Sequence, residues 1–174
     1  MTMRILFDSA AIAARNAELA AEIAGVMPTE FIAVGVLKGS FIFLADLARA
    51  LDTAGVRPEI EFMRLSSYGR ARESAGSVRL IGEPAADLGG RDVLLVDDIA
   101  DTGVSLTYAS KFLLARGAAR VRTCVLLDKP VRRGVTFAPD FVGFTVQNEF
   151  VVGYGLDDAE RYRHLPYLAV IDQA

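Results

Sequence analysis

The chain has 174 residues, of which 52% are hydrophobic, and a formal net charge of -3. This length suffices for one well-packed core and is short for two, so we expect a single domain over residues 1–174. The small negative charge gives no electrostatic reason to expect nucleic acid as a partner, which favours small-molecule ligands. Charged residues interrupt the N-terminal stretch and no apolar run reaches membrane-spanning length, so we expect a soluble, cytoplasmic protein with no membrane partner.

The first part of the chain is predicted to form a helix, a strand and a second helix. Apolar residues at helical spacing indicate a helix from Ile12 to Val26, and the run from Phe31 to Leu37 indicates a buried strand. After the turn formed by residues 38–40, a helix is predicted from Phe41 to Leu51. Such a turn directs backbone N–H groups and one lysine toward an anion at the sheet edge, although a plain turn with an exposed lysine has the same pattern.

A polar segment separates the next two predicted strands. Residues 60–65 and 78–81 have strand patterns, and residues 66–76 between them are rich in Arg, Ser, Gly and Glu. A polar loop of this length inside a compact domain is either mobile or functional.

The densest polar cluster lies between Arg91 and Ala115. Val93–Val96 predicts a strand buried on both faces, and a helix is predicted from Leu106, with Thr102 or Ser105 available to cap it. Acids and small residues lie between the strand and the helix, namely Asp97, Asp98, Asp101, Thr102, Gly103 and Ser105.

This cluster combines a site for an anion with groups that repel one. The N–H groups of a helix N-terminus, two hydroxyls and a permissive glycine suit a phosphate. Three carboxylates beside it are expected to face ribose hydroxyls, Mg²⁺ or a proton to be moved. A solvated Asp/Gly turn at a strand end is the alternative that spacing alone leaves open.

The order of the predicted elements indicates an α/β fold. Strands near residues 31, 93 and 121, separated by helices, give repeated β–α–β units and a mostly parallel sheet. Ligands of such sheets lie past the carboxyl ends of the strands. Lys38, the loop 97–105 and Lys129 all follow strand ends, which predicts one shared site. Cys124 lies inside a predicted strand, and we expect a buried structural thiol.

The stretch VLLVDDIADTGVSL, residues 93–106, resembles the phosphoribosyl pyrophosphate (PRPP) binding motif of type I phosphoribosyltransferases. The stretches LKGSFIFLADL and SSYG and the segment 141–171 resemble the hypoxanthine-guanine phosphoribosyltransferases in particular. The resemblance implies the type I phosphoribosyltransferase fold, a mostly parallel twisted central sheet flanked by helices with a small C-terminal hood. The core is then expected at about residues 1–145 and the hood at about 146–174.

The resemblance also implies a reaction. Phosphoribose moves from PRPP to N9 of hypoxanthine or guanine, giving IMP or GMP and pyrophosphate, with Mg²⁺ as cofactor. A homodimer or homotetramer is implied as the assembly.

Roles follow by matching positions to the family motifs. Asp101 is implied as the catalytic base or hydrogen-bond partner at the purine N7. The peptide between Lys38 and Gly39 is implied to be cis in some states. The other implied roles are ribose-phosphate binding by Asp97, Asp98, Thr102, Gly103, Val104 and Ser105; pyrophosphate binding by Lys38, Gly39 and Arg163; a flexible loop with Ser67 and Tyr68; purine binding by Lys129, Phe150 and Val151; and Mg²⁺ binding by Asp157, with Asp97 and Asp98 reaching the metal through ribose or water.

Two departures and two alternatives qualify this prediction. Asp97 stands where many relatives carry Glu, and Val104 stands where several carry Lys or Arg, so we expect weaker PRPP binding. One alternative is a transferase that prefers xanthine. The other is a non-catalytic regulator that senses PRPP or nucleotide.

Overall fold

The computed structural model describes residues 3–68 and 77–171, except for the side chains of residues 67, 68 and 77. Its elements are the strands β1 (Met3–Phe7), β2 (Glu30–Leu37), β3 (Arg57–Tyr68), β4 (Ser77–Gly82), β5 (Asp92–Ala100), β6 (Arg120–Asp128), β7 (Phe141–Thr145), β8 (Val151–Val152) and β9 (Leu168–Ile171), and the helices α1 (Ser9–Ala24), α2 (Phe41–Thr53) and α3 (Val104–Ala115).

Six strands form the central sheet in the order β4-β3-β2-β5-β6-β7. The pairs β3–β2, β2–β5, β5–β6 and β6–β7 are parallel, and only the edge pair β3–β4 is antiparallel. The predicted mostly parallel α/β sheet is therefore confirmed. Because all parallel strands run the same way, the residues that follow β2, β5 and β6 lie together at the carboxyl ends of the strands.

Helices cover both faces of this sheet. Side chains from α1 and α2 pack on one face with Leu94 and Leu126, and side chains from α3 pack on the other with Val93 and Leu95. Adjacent residues of β5 thus enter opposite halves of the core, as expected for a strand buried on both faces. Cys124 is buried in the first half, as predicted.

A second, antiparallel sheet has the order β1-β9-β8. The sequence analysis predicted no strand at Met3–Phe7 and assigned residues 1–145 to the core, but β1 pairs with β9 from Met3 opposite Ile171 to Phe7 opposite Leu168. The N-terminus thus completes the sheet formed by the predicted hood. Nothing local in these five residues indicates a pairing partner more than 160 positions away.

Two strands extend beyond their predicted ends. Pairing between β5 and β6 continues to Ala100 opposite Asp128, so Asp97 and Asp98 lie within the strand and not in a loop after it. In the same way β3 continues to Tyr68, so the backbone of Ser67 and Tyr68, predicted as part of the flexible loop, pairs with β4. The remainder of that predicted loop, residues 69–76, lies outside the described residues.

Across the described ranges, no helix is both long enough and apolar enough to cross a membrane.

Two neighbouring leucines of α3 test the placement of the core. Leu113 is fully buried, whereas Leu114 is 48% exposed. We expect Leu113→Ala to lower the free energy of unfolding by about 2–5 kcal/mol, because it leaves a cavity between α3 and the sheet. Leu114→Ala should change it by no more than about 0.5 kcal/mol. Urea denaturation of both variants measures the difference, and equal losses would contradict the described face of α3.

Candidate active site

Predicted site residues from distant parts of the chain meet beyond the carboxyl ends of β5 and β6. Asp98 lies near the end of β5, Asp101 directly after it, and Lys129 directly after β6. A cavity of about 230 Å³ joins them to the hood, and its lining comprises Asp98, Ile99, Asp101, Lys129, Arg132, Phe150, Val151, Leu156 and Asp157. Six of these nine residues are predicted site residues, from segments up to 59 positions apart (98 to 157).

A second cavity, of about 320 Å³, lies at the start of α3 and is lined by Asp97, Asp98, Ile99, Ala100, Asp101, Thr102, Gly103, Ser105 and Leu106. Gly103 precedes the helix with φ 82°, a left-handed conformation that side-chain-bearing residues rarely adopt. Gly103, and neither Thr102 nor Ser105, occupies the N-cap position of α3, but the Thr102 hydroxyl accepts a hydrogen bond from the Val104 N–H at 3.4 Å. The first N–H groups of a helix have no intrahelical partner and suit an anion in this cavity.

Asp97 and Asp98 form a carboxylate pair with little solvation. Asp97 is only 8% exposed and accepts a hydrogen bond from the Asp98 backbone N–H at 2.9 Å. Burial raises the pKa of Asp97 well above its usual value, and the neighbouring charge of Asp98 raises it further. Burial also raises the pKa of Asp98, although hydrogen bonds from its surroundings and the charge of Arg163 oppose this. Such a pair is better stabilised when a cation or hydroxyl donors face it.

The two carboxylates suit a Mg²⁺ ion that takes most of its other ligands from phosphate oxygens and water. Among the described residues, no group of three or more His, Cys, Asp or Glu side chains is arranged to hold a metal. Mg²⁺ commonly binds through one or two carboxylates together with water and phosphate oxygens, and Asp97 and Asp98 fit that role. Asp157 instead directs one oxygen to Arg163 at 2.8 Å and the other to the Glu160 backbone N–H at 2.8 Å.

The turn after β2 contacts Asp98 near the end of β5 and Gly155 in the hood. Its cis peptide bond joins Leu37 to Lys38, one position before the bond that the sequence analysis expected. A Cβ atom on Gly39 would lie 1.6 Å from Asp98 Oδ2, and one on Gly155 would lie 2.2 Å from the Gly39 carbonyl oxygen. A side chain at Gly39 would displace the Asp98 carboxylate, and one at Gly155, whose φ is 103°, would collide with the Gly39 backbone.

The two predicted pyrophosphate-binding cations lie on either side of Glu160. Lys38 Nζ is 2.9 Å from Glu160 Oε2, and Arg163 Nη2 is 3.5 Å from Glu160 Oε1. Arg163 also donates to the Gly155 carbonyl at 2.7 Å and pairs with Asp157. The sequence analysis did not identify Glu160.

Two of the predicted purine-binding residues, Lys129 and Phe150, also border an adjoining hollow of about 490 Å³, whose lining includes Arg132, Asn148, Glu149, Val170 and Ile171. Lys129 is 6% exposed and donates to the Glu149 carbonyl at 2.6 Å, and its burial lowers its pKa. Phe150 is 37% exposed, which leaves a ring face available for stacking. Val151 is buried and pairs with β9.

Two arginines that the sequence analysis did not assign to the site contact Asp101 and strand β6. Arg132 Nε lies 3.1 Å from Asp101 Oδ1. Arg133 donates to the Asp101 carbonyl at 3.2 Å and forms a half-buried ion pair with Asp128. Their position just past the end of β6 was the available signal, since residues there share the sheet edge with the β5 loop.

Comparisons with known proteins agree with this arrangement. Residues 3–159 match the phosphoribosyl transferase domain family. The chain is 43% identical to the hypoxanthine-guanine phosphoribosyltransferase of Aquifex aeolicus, covering 98% of this chain and 95% of that protein. It is 40% identical to the hypoxanthine phosphoribosyltransferase of Escherichia coli K12, with 98% and 96% covered. It is 47% identical to part of the bifunctional protein TilS/HprT of Listeria innocua, but spans only 23% of that protein's length.

Solved structures extend the similarity to the fold. The Trypanosoma cruzi hypoxanthine phosphoribosyl transferase, studied for the role of its C-terminal region in oligomeric state and activity, superposes with a TM-score of 0.90 at 39% identity, covering 97% of this chain and 91% of that one. A hypoxanthine-guanine phosphoribosyltransferase of Bacillus anthracis gives 0.90 at 36% identity, with 97% and 98% covered. The type I fold expected from the sequence is thereby confirmed.

The buried carboxylate pair predicts a pH-dependent stability cost. A carboxyl group whose pKa is raised on folding destabilises the folded state once the pH exceeds its pKa in the unfolded chain, about 3.9. This cost grows until the pH reaches the folded-state pKa, and it is absent below about pH 3.9. We therefore expect Asp97→Asn to raise the Tm at pH 8 in the absence of ligand, and to lose this advantage toward pH 4. One kcal/mol corresponds to about 2–4 °C for a chain of this size, and the gain should be at least that.

Calorimetry from pH 4 to 8 measures this dependence, with the exposed Asp52→Asn as control for the loss of one charge. A gain that is equal in both variants, or that grows toward low pH, would contradict the cost assigned to Asp97.

Proposed function

We propose that this chain, which belongs to the hypoxanthine-guanine phosphoribosyltransferases within the phosphoribosyl transferase domain family, transfers phosphoribose from PRPP to N9 of hypoxanthine or guanine. The observation that carries the proposal is the 230 Å³ cavity, in which a candidate base, a candidate purine donor and an exposed aromatic ring meet. The reaction breaks the bond between ribose C1 and pyrophosphate and forms a bond between C1 and N9. The purine loses one proton and pyrophosphate leaves with the electron pair.

Lys129 and Phe150 are proposed to select the purine. An ammonium group donates hydrogen bonds and cannot accept them, so it favours a 6-oxo over a 6-amino base. The contact from Lys129 to the Glu149 carbonyl supports this role, because it holds the amine at the hollow bordered by Phe150. The Phe150 ring would stack on the base, and the backbone of Val151 would contact the base edge.

Asp101 is proposed to accept the proton at the purine N7. It lines both the 230 Å³ cavity and the 320 Å³ cavity at the start of α3, and its carboxylate is paired with Arg132. A carboxylate that lines both cavities is placed to accept a proton from a purine bound beside it.

Asp97, Asp98 and the start of α3 are proposed to bind the ribose phosphate. The two carboxylates would accept from the ribose hydroxyls, and the backbone N–H groups from Gly103 to Ser105, with the Thr102 and Ser105 hydroxyls, would hold the 5-phosphate. Bound Mg²⁺ would supply positive charge to the pyrophosphate, with Asp97, Asp98 and Asp157 as the candidate residues to hold it, directly or through water.

Lys38, Gly39 and Arg163 are proposed to bind the leaving pyrophosphate. The closeness of Lys38 and Arg163 to a shared carboxylate supports this, because it shows that one anion can reach both cations. Positive charge builds on the sugar and negative charge on pyrophosphate as their bond breaks, so cations held here act mainly in the transition state. Ser67 and Tyr68, whose backbone pairs with β4 in the absence of ligand, are proposed to cover this site when PRPP is bound.

The assembly and location remain predictions from the sequence. We propose a homodimer or homotetramer in the cytoplasm, with a core of about residues 1–145 and a hood of about 146–174 that β1 joins.

A panel of bases tests the activity. Purified protein with PRPP and Mg²⁺ should form nucleotide from hypoxanthine or guanine and not from adenine or uracil, as measured by chromatography of the products. Faster conversion of xanthine would support the xanthine-preferring alternative. Binding of PRPP without conversion of any base would contradict catalysis and support the sensor alternative.

Replacement of Asp101 tests the proposed base. Proton transfer by a positioned side chain typically contributes about 10²–10⁴-fold, so Asp101→Asn should lower kcat by about that factor. Asp92→Asn is the matched control, because Asp92 lies on the same strand at the opposite edge of the sheet and pairs with Arg120. Steady-state rates of both variants with hypoxanthine measure the effect, and similar losses would contradict the role of Asp101.

A further inference from the structure

We propose that Glu160 acts as an internal competitor of pyrophosphate, holding Lys38 and Arg163 when the site is empty and releasing them when pyrophosphate or PRPP binds. The inference rests on the proposed function, since it takes these two cations to be the pyrophosphate-binding groups. It assigns to Glu160 the role of setting the affinity for the leaving group.

The contacts of Glu160 carry the proposal. Its carboxylate presents one oxygen to each cation, with Oε2 at 2.9 Å from Lys38 Nζ and Oε1 at 3.5 Å from Arg163 Nη2. Pyrophosphate also presents separate anionic oxygens to separate cations. Glu160 and pyrophosphate therefore require the same donors, and both cannot hold them fully at once.

The backbone fixes Glu160 in this position. Ala159 and Glu160 have φ of 50° and 64°, which is uncommon for residues other than glycine. The Glu160 N–H donates to Asp157 Oδ2 at 2.8 Å. This turn directs the Glu160 side chain toward Lys38, which is 122 positions away in the chain. Both cations lower the pKa of the Glu160 carboxyl, so it is charged at neutral pH.

The two cations depend on Glu160 to different degrees. Arg163 keeps its bond to the Gly155 carbonyl and its ion pair with Asp157 without Glu160. Lys38 has Glu160 as its ion-pair partner within the described residues. The Lys38 and Glu160 side chains are 49% and 64% exposed, so solvent weakens their pair and an incoming anion can displace it. Removal of the Glu160 charge should thus free Lys38 without moving Arg163.

Isothermal titration calorimetry with pyrophosphate and Mg²⁺ tests the proposal. An exposed ion pair contributes about a 1.5- to 5-fold factor to an equilibrium constant, so Glu160→Gln, which breaks two, should lower the Kd for pyrophosphate by about 2- to 10-fold. KM for PRPP should fall in the same direction, while KM for hypoxanthine stays unchanged. The matched control is Asp158→Asn, which removes the same charge from the same turn but from a residue paired with Arg161.

The same substitutions made in a Lys38→Met protein separate local competition at Lys38 from a general effect of removing one negative charge. In a Lys38→Met protein the gain from Glu160→Gln should shrink toward that of Asp158→Asn, because the principal contact is already absent. The proposal is overturned if Glu160→Gln binds pyrophosphate no tighter than Asp158→Asn, or more weakly than the unmodified protein, while hypoxanthine is still converted. If the unmodified protein neither binds pyrophosphate nor converts any base, the proposed function fails and this inference fails with it.

Discussion

Close contacts made by two glycines are the constraint on which the candidate site depends. Gly39 lies against the Asp98 carboxylate, and Gly155 lies against the Gly39 carbonyl, at distances that exclude a Cβ atom. The first contact joins the turn after β2 to the end of strand β5, and the parallel sheet already brings these two segments together. The second joins the sheet to the hood, and so places Leu156 and Asp157 over the cavity that Asp98 and Asp101 line. A side chain at Gly39 would displace the Asp98 carboxylate, and one at Gly155 would push the hood away from the turn after β2, so either would disturb groups proposed to bind PRPP.

Most charges at the site are already paired in the absence of ligand. Asp101 pairs with Arg132, Asp157 with Arg163 and Glu160 with Lys38, whereas Asp97 and Asp98 face each other with raised pKa values. At the proposed site, substrate binding would therefore exchange partners more than fill empty positions. The ligand anion would take over cations from protein acids, and the carboxylate pair would gain the positive charge or donors that it lacks. Such an exchange of ion-pair partners lowers the net gain in affinity for each new contact, because an existing ion pair is lost each time.

The sequence predicted those parts of the molecule that depend on a local residue pattern. It also predicted those that follow from the tendency of ligands to lie past the carboxyl ends of parallel strands. The apolar run Val93–Val96 and the helices beside it were enough for the core, and strand ends identified Lys38, Asp101 and Lys129. Features set by contacts between distant residues were not predicted. Strand β1 forms because β9 is there to pair with it, Asp97 lies in a strand because β6 extends alongside it, and Glu160 and Arg132 acquire their contacts from residues 122 and 31 positions away.

The proposed phosphate site at the start of α3 lacks the cation that a basic side chain in place of Val104 would supply. Arg133 is the nearest candidate to replace it, since its Cδ would lie 3.1 Å from a Cβ on Gly103, but its guanidinium is committed to Asp128 and the Asp101 carbonyl. It supports the loop and does not offer a free charge. The 5-phosphate would then be held by the helix N-terminus and two hydroxyls, which are dipoles and not ions. Binding through dipoles at short range is weaker than a charged pair but less sensitive to salt, because screening acts mainly on exposed charges.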